Sequence, residues 1–336
     1  MMEYFWSYQW LPLAFMVILA VAVLAYVVLD GYDLGVGMLM SRANTKEHDV
    51  MISSIGPFWD ANETWLVLAI GILLVAFPVA YGMVLTSLYI PVAIMLCGLI
   101  LRGVSFDFRA KAKDHHKKAW NTSFICGSVI ASFSQGYMLA LYILGFSNSL
   151  YAHLFGIVVG ICLCFGYCLV GASWLIMKTE GELQKKAVKW ASFGLYGTIV
   201  GMAIISIATP LISPRIFDKW FTMPNIFFLM PLPILASAII LYMMFFLKKL
   251  PLKGDKLCWV PFGLTIALFV ICFQGIAYSF YPYVVPEKLT IIESASSLES
   301  LLIIFVGAII VVPVILGYTF FTYRVFWGKT RELTYY

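Results

Sequence analysis

The sequence predicts an all-α polytopic membrane protein with nine transmembrane helices, and three observations carry that prediction. Apolar stretches long enough to cross a ~30 Å hydrocarbon core recur from end to end. Hydrophobic residues make up 62% of the 336-residue chain and charged residues only 12%, with a mean hydropathy of +0.94; a soluble protein carries about twice that share of charge. The Lys and Arg residues fall between the apolar stretches, on alternate sides of the implied membrane.

In chain order, the first span runs from about Trp10 to Leu29 and is followed by an acidic cluster and an apolar tail, Leu34 to Met40. The next spans are Pro57–Pro78, Tyr81–Leu101 and Trp120–Phe146, then His153–Met177 and Ala191–Ile212. Asn225–Leu247, Leu257–Tyr278 and Leu301–Trp327 complete the nine. The chain is expected to form a single membrane domain over 1–336. No repeat, low-complexity region or long linker interrupts it, and such short loops suit antiparallel neighbours in helix bundles.

Sidedness follows from the loops. With the N-terminus outside, the inner segments are 41–50, 102–119, 178–189, 248–256 and the tail from Arg324. They hold 19 of the 22 Lys and Arg residues, and Arg215, Lys219 and Lys288 are the three outside. Dropping one span would swap the side of every later loop and spoil this division, so the count of nine and an N-out, C-in orientation stand together. The net charge of +5 lies in these short loops and is no nucleic-acid signal. Glu3 is the only charge before Asp30, so the basic n-region of a cleavable signal is missing and the first apolar segment is expected to remain as a span.

All seven cysteines sit in apolar runs, with Cys164 and Cys168 on one helix face, and read as packing residues. No CxxC occurs, so neither zinc nor an iron–sulfur cluster is supported. His48, His115 and His116 fall in inner loops and His153 at an outer span end. None is mid-span, so the chain by itself does not look like a haem carrier. Neither a phosphate loop nor a nucleophile elbow appears.

The chemistry-bearing residues are acids beside apolar runs. Asp30 and Asp33 sit about 60° apart on one helix face, and Gly31 with Gly35 offers a close-packing face on roughly the opposite side. Asp60 and Glu63 repeat the spacing at the start of the second span, where acids also complement a helix N-terminus and where Pro57 suits a first helical turn. Asp107 follows the third span. All five acids are expected on the inner side, where they would converge as an intake for protons, because ionisable groups at membrane depth mark pathways. Arg102 and Arg109 are candidate ion-pair partners for these acids.

Three dense motifs resemble those of subunit II of the bacterial cytochrome bd-type quinol oxidases. They are Asp30-Gly31-Tyr32-Asp33-Leu34-Gly35-Val36-Gly37, Pro57-Phe58-Trp59-Asp60-Ala61-Asn62-Glu63-Thr64-Trp65-Leu66 and Arg102-Gly103-Val104-Ser105-Phe106-Asp107-Phe108-Arg109. Leu289-Thr290-Ile291, Ser294 to Ser297, Gly317-Tyr318-Thr319 and Tyr323 to Phe326 extend the likeness to the last span. The middle, about Asn121 to Val284, matches mainly in hydropathy. Thr64 and Ile292-Glu293 depart from the usual pattern without touching the acids. The resemblance implies two four-helix bundles, about 10–146 and 153–279, plus one peripheral helix, about 301–327.

It also implies a partner, subunit I, carrying two haem b and one haem d. That partner oxidises quinol and reduces dioxygen to water without pumping protons, and a small single-helix subunit is a further candidate partner. By motif position, Asp30, Asp33, Asp60 and Asp107 would conduct protons from the cytoplasm, with Glu63 as a neighbour. Trp65 falls where an aromatic side chain can stand near a bound quinone or an oxygen route. The implied location is the bacterial inner membrane. From another class, the rival reading is a proton-coupled secondary transporter, which the intramembrane acids also suit. Paired Gly and Pro interruptions would favour it, but Pro78, Pro91, Pro210, Pro231, Pro233, Pro261 and Pro313 lie mostly near span ends. A scaffold without a proton role is the third reading.

Overall fold

The structure, a computed structural model, describes residues 10–212 and 214–330. Glu3 and Arg331 lie outside the described residues. Within them, nine helices are long and apolar enough to span a membrane, and their order matches the spans read from the sequence.

The first helix, α1 (Leu11–Leu39), has 29 residues. At 1.5 Å per residue it rises about 43 Å and outruns the bilayer core. From Asp30 to Met40 every residue is buried, so the apolar tail is a continuation of the helix inside protein. A short helix, α2 (Thr45–Ile55), follows, started by a capping box between Asn44 and Glu47. The second span is α3 (Trp59–Ala76). Pro57 lies in the turn before it and not in its first turn; the carboxylate in that turn is Asp60.

The third span departs from expectation. A ten-residue helix, α4 (Pro78–Ser87), comes first, and the spanning helix is α5 (Tyr89–Lys111). Pro91 explains the break, because its ring opposes a hydrogen-bonded carbonyl four residues earlier, at Ser87. Consequently Arg102 to Arg109, expected in a loop, lie within α5. The following helices are α6 (Asp114–Ile143), α7 (Leu150–Lys178) and α8 (Gly181–Ile212). Next come α9 (Pro214–Phe221), α10 (Asn225–Leu229), α11 (Pro231–Leu247) and α12 (Val260–Phe280).

The connection after α12 is not helical throughout. Strand β1 (Tyr283–Val285) pairs antiparallel with β2 (Leu289–Thr290), Tyr283 opposite Thr290. A four-residue helix, α13 (Ile291–Ser294), and the last span, α14 (Leu298–Val325), complete the chain.

Helix α1 sits at the centre, packed against α3, α6 and α7. Its crossing with α7 is backbone-close. A Cβ on Gly35 would collide with the Tyr167 carbonyl, and one on Gly171 would stand 2.5 Å from Val36 N. Only glycine permits that approach. Around the crossing lies the main core, including Tyr32, Phe58, Tyr167 and Trp174, with Tyr32 and Trp174 stacked at 4.2 Å. The last helix is the least enclosed: only 6% of its most apolar stretch is buried.

Candidate functional site

A cluster of buried polar groups lies where the end of α1, the start of α3 and the end of α5 meet. The ring contact between Trp59 and Phe106, at 4.8 Å, holds α3 against α5 there. The α1–α7 crossing presses the other side of α1, leaving Asp30 and Asp33 to face inward with no exposed surface.

Arg102 is the hub. Its side chain is 1% exposed, and its Nη2 lies 2.6 Å from Asp30 Oδ1 and also contacts Glu63 Oε1. Glu63 retains 31% of its side-chain surface, so the cluster connects a fully buried carboxylate to a partly open one. Asp33 belongs to an adjoining network: Asn62 Nδ2 donates to Asp33 Oδ2 at 2.8 Å and lies 2.8 Å from the Tyr32 hydroxyl. Tyr32 and Tyr323 share a hydrogen bond of 2.7 Å, which brings α14 into the network. Asp33 Oδ1, also buried, has no hydrogen-bond partner among the described residues.

A second hydrogen-bonded chain lies deeper in the membrane than Asp30, and its direction is set by donor inventory. The Tyr167 hydroxyl donates to Gln135 Oε1 at 2.5 Å. This leaves the Gln135 amide nitrogen to donate to the Tyr26 hydroxyl oxygen at 2.8 Å. The Tyr26 hydroxyl ends this chain, and neither Asp30 oxygen takes a hydrogen bond among the described residues.

The other expected site residues lie elsewhere. Asp60 and Asp107 are at the same end of the bundle but exposed, so the five acids do not gather in one pocket. Arg109 engages none of them. Its Nη2 pairs with Asp49 at 2.6 Å and its Nε donates to Asn121 Oδ1 at 2.5 Å, because its turn of α5 faces α2 and α6 and not α1. Nearby, Glu47 binds Lys186 at 2.8 Å. Burial raises the Glu47 carboxyl, but the Lys186 and Asn44 hydrogen bonds outweigh it and hold the group below its ordinary value. Trp65 is buried in a separate core layer with Tyr26 and Phe15, and its Nε1 has no acceptor among the described residues.

Asn62, Gln135, Tyr26, Tyr32, Tyr167, Tyr323 and Asp49 were not singled out from the sequence. Asn62 and Gln135 did carry a signal: an amide in an apolar span needs partners. The tyrosines carried none, since tyrosine is as common in a core as in a network.

Two of the histidines have both ring nitrogens hydrogen-bonded. His48 has Met40 O on Nε2 and Asn121 on Nδ1, at 2.8 and 2.9 Å. His153 has Tyr137 and Asn148 on its two nitrogens, at 2.6 and 2.8 Å. His115 and His116 are exposed at the start of α6. Among the described residues no group of three or more His, Cys, Asp or Glu is placed to hold a metal ion.

Fold and site together define a class: a multi-pass helical membrane subunit with a buried carboxylate–guanidinium cluster toward one end. Comparison with known proteins gives the family. The sequence profile of "Cytochrome bd terminal oxidase subunit II" matches residues 11–326. The chain is 30% identical over 334 residues to cytochrome bd ubiquinol oxidase subunit 2 of Bacillus subtilis, covering 92% of this chain and 94% of that one. It is 27% identical over 375 residues to cytochrome bd-I ubiquinol oxidase subunit 2 of Escherichia coli K12, covering 97% of each. The solved bd oxidase of Geobacillus thermodenitrificans shares the fold, with a TM-score of 0.76 at 15% identity over 94% of this chain and 98% of that one. The chain belongs to the cytochrome bd terminal oxidase subunit II family. It is thus a multi-pass inner-membrane subunit of a quinol oxidase, an oxidoreductase complex that includes a partner subunit I.

Proposed function

We propose that this subunit conducts protons from the cytoplasm toward the oxygen-reduction site of a haem-bearing subunit I, and stabilises that partner. The observation that carries the reading is Arg102 shared by Asp30 and Glu63, with the buried Asp33, one oxygen unpartnered among the described residues, one helical turn along from Asp30. Full ionisation leaves more negative charge than Arg102 balances in a poorly solvated site, and binding a proton relieves it. Structural packing alone gains nothing from such an arrangement, since buried ion pairs contribute little net stability.

In this reading Asp60 and Asp107 collect protons at the surface, and Glu63 passes them to the Arg102 pair. Asp30 and Asp33 hold the proton at depth, the latter on its unpartnered oxygen. The orientation is N-out and C-in, which puts the cluster on the cytoplasmic side. The two haem b and one haem d groups belong to subunit I, where quinol oxidation and dioxygen reduction take place. A quinone bound to this chain would find a hydrogen-bond donor in Trp65 Nε1, and a small single-helix subunit completes the complex. The chain is read as two four-helix bundles, about 10–146 and 153–279, with the weakly enclosed 301–327 helix peripheral. The family membership does not favour the transporter alternative.

The test is to replace Asp60 and, separately, Asp30 with Asn in the complex and measure oxygen consumption with quinol alongside the haem spectrum. Slower turnover with an intact haem spectrum is expected for both. Full turnover with both variants would overturn the proton role and leave the scaffold reading.

A further inference from the structure

At the end of the bundle away from the acids lies a cavity of about 330 Å³ between α8, α9, α11 and α12. Its volume is at the lower end of the ~300–1,000 Å³ range of ligand pockets. Its walls are mostly apolar. Toward the hairpin end it is lined by Thr209, Ser279 and Trp220, and Thr209 Oγ1 is buried without a hydrogen-bond partner among the described residues. Toward the middle of the bundle it is lined by Met202, Ala236 and Ile271. Ser279 and Trp220 satisfy each other at 2.8 Å, so the cleft suits an acyl chain, with Thr209 Oγ1 left as an unpartnered polar atom in its wall among the described residues.

The mouth is built by α9, a short amphipathic helix. Its apolar side sends Ile216 and Trp220 into the cavity wall, and its other side carries Arg215 and Lys219 one turn apart. Two like charges at that spacing repel. Arg215 Nη1 reaches the Ser279 carbonyl at 3.4 Å on the cavity rim, while its Nη2 has no hydrogen-bond partner among the described residues. Glu287 stands 3.6 Å from Arg215 Nε, a loose pair. Lys219 lies over the rings of Tyr278 and Tyr281, at 4.6 and 5.7 Å, and burial together with Arg215 holds its ammonium below its ordinary value. Aromatic rings beside cations on an amphipathic helix are the fittings of a membrane interface.

We infer that this cavity binds one anionic phospholipid, with an acyl chain in the cleft, the ester region at Thr209 and the headgroup phosphate at Arg215 and Lys219. The site is remote from the acid cluster and independent of the proton role.

The test is native mass spectrometry of the complex, purified in mild detergent and titrated with phosphatidylglycerol or, as a neutral control, phosphatidylcholine. One phosphatidylglycerol per complex is expected to bind in preference to phosphatidylcholine and to be lost in two variants. Arg215→Gln with Lys219→Gln removes the charge and should weaken phosphatidylglycerol binding about thirtyfold, the scale of two interfacial cations, leaving phosphatidylcholine unaffected. Gly275→Leu fills the cleft; the first atom it adds stands 3.7 Å from Trp220, an ordinary contact. It should remove the bound lipid without changing quinol-dependent turnover. Equal binding of the two lipids, retention of phosphatidylglycerol in both variants, or a quinone or protein segment in its place would overturn the proposal. Turnover and proton uptake are read separately, so failure here and failure of the proton role give different results.

Discussion

Arg102 Nη2 stands 2.6 Å from Asp30 Oδ1, with the two side chains 1% and 0% exposed. An ion pair so enclosed adds little net stability while both partners are present, but removing one strands the other. Arg102→Leu is therefore expected to destabilise the chain by about 3–5 kcal/mol. The double variant Arg102→Leu with Asp30→Leu should recover much of that loss. Thermal unfolding of the purified complex distinguishes the cases, and a double variant no better than the single one would show that Asp30 is not the group left stranded.

The chain from Tyr167 through Gln135 to Tyr26 acts as one unit if its direction matters. Tyr26→Phe and Tyr167→Phe should each slow oxygen consumption, and the double variant should be no slower than the worse single one, since groups in one network are not additive. Losses that simply multiply would show that the two hydroxyls work independently.

Close approach of α1 and α7 depends on Gly35 and Gly171. A Cβ at Gly171 would meet the Val36 nitrogen at 2.5 Å and the Gly35 carbonyl carbon at 2.6 Å, and backbone cannot move aside as a side chain can. Gly171→Ala is expected to cost at least ~1–3 kcal/mol. Gly82→Ala, where nothing lies within 4 Å, should change stability by less than about 1 kcal/mol. Equal behaviour in detergent unfolding assays would mean the crossing is looser than described.

Glu47 and Lys186 give a pH dependence with a definite sign. Because the folded state holds the Glu47 carboxyl below its unfolded value, the pair's stabilisation is fully present above that unfolded value, about 4.3. It is lost as pH falls through the lower folded value. Lys186→Gln should flatten the acid-side fall in melting temperature and leave the neutral-pH slope unchanged. An unaltered acid limb would assign that fall to other carboxylates.

The last helix is tied to the site by the Tyr323 hydroxyl, 2.7 Å from that of Tyr32, and the segment after it by Lys178 Nζ, 2.7 Å from the Phe326 carbonyl. Tyr323→Phe is expected to cost about 1 kcal/mol and to raise hydrogen exchange along the C-terminal half of α14. Unchanged exchange would place the anchoring in Lys178 alone.

Much of this molecule was legible before any coordinates. The spans followed from apolar run length and from where the lysines and arginines fall, because a bilayer imposes one length and one polarity on every crossing. Gly35 read correctly as a packing position because small residues on an apolar helix have little other use. The site was legible only in part. Asp30, Asp33 and Glu63 were visible as acids out of place, yet nothing in their spacing said that Arg102 would join Asp30 to Glu63 while Arg109 turned to Asp49. Seven residues along a helix is close to two turns, so Arg102 and Arg109 share one side of α5. Each meets whatever element happens to flank its own turn.

The sequence by itself determined the fold class, the number of crossings and the family, since these rest on composition, periodicity and motifs carried by residues near one another in the chain. The tertiary structure alone decided that Arg102 joins Asp30 to Glu63, that Asp60 and Asp107 stay at the surface, and that tyrosines from three distant helices complete the site. Those outcomes depend on which faces of separate helices meet. A one-dimensional pattern records the face a residue occupies but not the neighbour that face is packed against.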